Sequence, residues 1–136
     1  MMTRNEALLT ELNKSLENIR NQIRSKKLSL YEAELNALSR SLQDSLKLSR
    51  RTAFFEKNEV VKCIMKIIGL INDDIASIEL EMHGVANYSS YESERVNDIV
   101  FKQIIKIELD KMLKMALRAR PEIRDAELSS MIKTLG

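Results

Sequence analysis

Tryptophan is absent from this chain, and it carries one histidine, one cysteine, one proline and three glycines. Each scarcity closes off a kind of chemistry. A nucleophile, base and orienting acid need an imidazole beside the nucleophile. His83 is the sole one, and its place before Gly84 suits a helix C-terminus, where the ring would bond terminal carbonyls. Cys63 has no partner for an intrachain disulfide, gives no sign of an oxidising compartment, and reads as a small packed hydrophobe. No two glycines lie close enough to form a phosphate-cradling loop, and aromatics at 4% leave few platforms for stacking bases. Di-iron bundles need Glu-x-x-His on two helices, whereas Glu79 and His83 are four apart. Asp73, Asp74, Glu79 and Glu81 read as a solvated acidic face rather than an oxygen cage for a cation. The expectation is therefore a protein that is not an enzyme, with no catalytic residues, cofactor or metal.

Long apolar runs are missing too. Lys62, Lys66, Asp73 and Asp74 interrupt the most hydrophobic stretch, so no window reaches the ~20 apolar residues of a membrane span. Glu6 and Glu11 stand where a signal peptide would need its apolar core, and the chain reads as cytoplasmic.

What is abundant is helical periodicity. The chain has 136 residues, 44% hydrophobic and 31% charged, which suits one all-α domain over 1–136. Its dominant feature is Val61–Met82, where Val61, Ile64, Ile68, Ile71, Ile75, Ile78 and Met82 recur at steps of three and four. Val60, Ile67 and Leu70 widen that stripe, which marks a core helix or an assembly seam. Before it, Thr3 with Glu6 fits a capping box and opens a helix over about 3–25, carried by Leu8, Leu12, Leu16, Ile19 and Ile23. Arg20, Arg24, Lys26 and Lys27 gather where cations complement the helix dipole. Ser29 with Glu32 predicts a second box and a helix over about 29–49 on Tyr31, Leu35, Leu38, Leu42 and Leu46.

A weak break near Lys57 and Asn58 starts the third helix, which runs to His83. Gly69 inside it costs ~1 kcal/mol relative to Ala, either for close approach of a neighbouring helix or as a tolerated defect. Residues 85–91 form the loop, and Ser89 with Glu92 opens a fourth helix over about 90–120. On that helix Phe101, Ile105, Leu109, Met112, Ala116 and Ala119 line one face, which Val100, Ile104 and Ile107 are expected to widen. Pro121 stops it, and a short amphipathic helix is expected over 122–135. The architecture predicted is a bundle of four long helices plus a short C-terminal one, with the third and fourth antiparallel at its centre.

Charge is unevenly spread. Residues 20–66 carry 11 Lys/Arg against 5 Asp/Glu, and residues 69–98 carry 1 against 7. Such lobes orient association between copies or with a partner, or are simply two solvated faces. Lys47, Arg50, Arg51 and Lys57 form the best candidate phosphate contacts, for salt-sensitive binding without base readout.

Ile104 to Pro121, IIKIELDKMLKMALRARP, resembles the long helix that closes the α-helical A domain of archaeal GINS subunits, with Ile107, Lys111, Met112, Met115 and Ala116 at the matching positions. Glu108 departs from it, since the family usually has Arg there. Residues 26–49 look like that family's early Leu/Tyr-rich helices. The resemblance implies a non-catalytic scaffold subunit in DNA replication, a homo- or hetero-oligomer such as a tetramer, bridging the replicative helicase and a RecJ-like protein. It also implies a β-rich B domain after about residue 125, for which the residues up to Gly136 leave no room, so an A domain without it, or a fragment, is expected. Ile64, Ile68, Ile71, Ile75, Leu109 and Met112 are the expected interface. The rival reading is a small adaptor or chaperone that holds a partner's amphipathic helix in a groove lined by Met65, Met82, Met112, Met115 and Met131.

Overall fold

The computed structural model describes residues 4–52, 57–83 and 90–119. Four helices occupy them: α1 (Arg4–Ser25), α2 (Glu32–Thr52), α3 (Lys57–His83) and α4 (Ser90–Arg118). Among the described residues there is no strand, and the protein is an all-α bundle. Each helix packs on its neighbours in sequence, and α4 returns to α1, so the four form a closed up-and-down ring. The α3–α4 pairing is the most extensive, yet no helix is central: α1 and α2 complete the core on equal terms. The short C-terminal helix, the Thr3 and Ser89 capping boxes and the 85–91 loop fall outside the described residues.

One contiguous core runs the length of the ring. From α1 it takes Leu9, Leu12, Leu16, Ile19 and Ile23, from α2 Leu35, Leu38 and Leu42, from α3 Val60, Ile64, Ile67, Ile71 and Ile75, and from α4 Ile105, Leu109, Met112, Ala116 and Ala119. The helical stripes are the expected ones, turned by a fraction of a residue: Leu9 replaces Leu8 at the head of α1, while Val61 and Ile68 are only half-buried beside fully buried Val60 and Ile67. Each buried Leu or Ile stabilises by roughly 1.5–3 kcal/mol, so these residues hold the fold. Gly69 meets nothing within 4 Å of where its Cβ would be, so it serves no close helix approach.

The α1–α2 connection departs most from its sequence pattern. Leu28 N–H donates to the Ile23 carbonyl at 3.2 Å and Lys27 N–H to that of Arg24 at 2.9 Å, the paired bonds that close a helix through a left-handed residue. Glycine usually holds that position; here it is Lys27, with φ 55°. Tyr31 is left-handed as well, with φ 54°, and its carbonyl accepts the first α2 bond from Leu35 N–H at 2.8 Å. An L-residue in that region costs roughly 1–2 kcal/mol, which the surrounding packing has to offset. The Ser29–Glu32 capping box does not form. Ser29 Oγ donates instead to the Glu32 carboxylate at 2.9 Å, and α2 begins three residues later than expected. Tyr31 stands at the cap position instead, and its hydroxyl donates to Asp74 of α3 at 2.5 Å.

Candidate functional site

α4 differs from the other helices in being apolar on two sides. Ile105, Leu109, Met112 and Ala116 point into the core. Val96, Val100, Ile104 and Ile107, at steps of four, four and three, form a second row that is 41%, 46%, 47% and 67% exposed. At 100° per residue that row points almost directly away from the buried one. Val100, Ile104 and Ile107 therefore do not widen the core face, because a four-helix ring covers only the inward half of each member. Lys111, Lys114 and Arg118 continue the outer row toward the C-terminal end, all exposed. A run of exposed apolar residues on one helix face marks a contact surface more often than scattered single ones do.

At the opposite end of the bundle lies a polar seam. The Tyr31 phenol donates to Asp74, and Lys102, almost fully buried, sits 3.4 Å from Asp98 one turn earlier on α4. Burial, then the hydrogen bond to Asp74, then the charges of Asp74 and Asp98 push the Tyr31 phenol well above its ordinary range. Lys26 Nζ lies 5.8 Å over the Phe101 ring, and Arg95 pairs with Glu81 at 3.6 Å. These contacts tie the α1–α2 turn to α3 and α4, and every ionisable group in them has a structural partner. Periodicity foreshadowed part of this, since Asp98, Lys102, Ile105 and Leu109 continue one row at steps of four, three and four.

The six residues expected at an interface lie elsewhere. Ile64, Ile71, Leu109 and Met112 are fully buried, Ile75 nearly so, and Ile68 packs half-buried against them, all within a single chain. Among the candidate phosphate contacts, Lys47 is exposed, whereas Lys57 donates to the Leu117 and Ala119 carbonyls at 2.9 and 3.2 Å and caps α4. The side chains of Arg50 and Arg51 lie outside the described ones. Cys63 Sγ is 3.8 Å from Ser41 Oγ, in a half-buried contact between α3 and α2. The methionines do not share a groove: Met65 is exposed on α3, Met112 is sealed in the core, and Met131 is outside the described residues. Among the described residues no three His, Cys, Asp or Glu side chains gather as a metal site, and no helix is long and apolar enough to cross a membrane.

No family model, curated protein or solved structure matches the chain. The likeness to GINS thus rests on residues Ile104–Pro121 and the looser stretch 26–49. Of its matched positions, Ile107 and Lys111 stand on the outer face of α4, while Met112 and Ala116 belong to the core.

Proposed function

We propose that this protein is a non-catalytic scaffold subunit, and that the outer face of α4 is its assembly surface, paired with the same face of a second copy. The observation that carries this is the exposed row Val96–Val100–Ile104–Ile107 on a helix whose other side is already spent on the core. Such a row is self-complementary about a two-fold axis. With two α4 helices antiparallel and Val100 of one opposite Ile104 of the other, Val96 falls level with Glu108, next to Ile107. The same register sets Lys111 one residue from exposed Glu94 of the other copy. Acidic start thus meets basic end, whereas a parallel pairing would set like charges together. The resemblance of Ile104–Pro121 to the closing helix of GINS A domains supports placing this scaffold in a DNA replication complex. A replicative helicase and a RecJ-like protein are its expected partners there.

Cysteine cross-linking tests the register. In a Cys63→Ser background, one protein carries Val100→Cys and another Ile104→Cys. Mixed and treated with a mild oxidant, they should form the 100–104 hybrid in preference to either symmetric dimer. Equal yields of all three, or a dominant 100–100 product, would overturn the antiparallel pairing.

A further inference from the structure

The end of the α1–α2 hairpin holds a cleft of about 190 Å³ that plays no part in the pairing of α4. Its lining is part apolar, with buried Ile23 and Leu35 at the base and half-buried Leu30 and exposed Leu28 of the turn at the side. Arg20 and Arg24, one helical turn apart on α1, both line it. Arg20 is held in place: one terminal nitrogen donates to Asn36 Oδ1 at 2.8 Å, and its shielded Nε meets no acceptor. The one carboxylate on the lining, Glu32, already accepts from the Ser29 hydroxyl. Left-handed Lys27 and Tyr31 bracket 28–30, so the turn that walls the cleft is set by the fold at a conformational cost.

We infer that this cleft binds a small aliphatic carboxylate, free in solution or as the chain-terminal residue of a peptide. Size argues for one compact apolar group. At about 190 Å³ this open cleft is smaller than the roughly 300–1,000 Å³ of drug-sized ligand pockets, which leaves room for one compact group. Charge argues for a single negative group, since two arginines against Glu32 leave a net of one positive charge on the lining. The guanidinium of exposed Arg24 can match a carboxylate through two parallel hydrogen bonds with Arg20 adding its charge, and the leucine side chains take the alkyl tail.

Titrating the ¹⁵N-labelled native chain with isovalerate, N-acetyl-leucine and N-acetyl-leucinamide tests the assignment. At millimolar ligand, the two acids should shift backbone amides confined to residues 20–36, and the amide, which lacks the carboxylate, should not. Tighter binding of N-acetyl-leucine identifies a peptide terminus as the natural source; equal binding identifies a free acid. Arg24→Gln, at an exposed position, should weaken both acids about ten-fold or more while lowering the melting temperature by no more than the loss of one helix-terminal charge. Shifts shared equally by acid and amide, shifts spread over the whole surface, or affinity indifferent to Arg24→Gln would overturn the site.

Discussion

Tyr31 links the α1–α2 turn to α3 through a single half-buried hydroxyl. Its phenol donates to Asp74 across 43 positions of sequence, and α2 begins at the next residue, Glu32. Tyr31→Phe removes the bond while keeping the ring, and should cost about 1–2 kcal/mol, a melting shift of roughly 3–8 °C. The pH dependence has a definite sign. In the unfolded chain the phenol ionises near 10.0, while in the fold burial and the two carboxylates hold its proton to higher pH. Its contribution is therefore complete below pH 10 and lost as pH rises beyond it, because the unfolded chain then releases a proton that the folded chain keeps. Melting followed between pH 8 and pH 11, about the phenol's ordinary range, should fall more steeply for the native chain than for Tyr31→Phe; parallel curves would refute the assignment. Local pattern pointed instead to a Ser29–Glu32 box, because a capping motif is legible over four residues and a contact with α3 is not.

At the level of the helices, spacing was readable and direction was not. The predicted limits of α3, a start near Lys57 and an end at His83, agree with the fold because the apolar period is unbroken between them. The inward row of α4 agrees as well. Its outer row was misassigned, since Ile104 and Ile107 sit close in sequence to Ile105 and Leu109 and periodicity alone does not say how wide a covered arc is. The candidate site lies on that arc, whereas Ile64, Ile71, Leu109 and Met112 are buried within the single chain. The distinction is measurable. Ile71→Asp buries an unpaired charge at a position with no exposure, and should cost about 4 kcal/mol or more, with loss of helical circular dichroism on mild heating. Ile104→Asp should retain the full helical signal, because its side chain is 47% exposed. Equal damage from both would mean that the outer row is also part of the core.

The described residues form a closed ring of helices around one core, with an apolar row left on the outside of α4. Composition alone indicated the all-α class, through scarce glycine and proline and sustained three-and-four spacing. The closure of α4 onto α1 depends on contacts between residues nearly a hundred positions apart, which no local pattern reports. Along α4 the start carries Glu94 and Asp98 and the end Lys111, Lys114 and Arg118, and the proposed antiparallel pairing rests on that asymmetry. Light scattering measures the consequence directly. The native chain should have twice the single-chain mass of 15.7 kDa, and Ile104→Asp with Ile107→Asp should return it to one chain without loss of helix. A native mass of 15.7 kDa at all concentrations up to the millimolar range, or a dimer that survives both substitutions, would contradict the account.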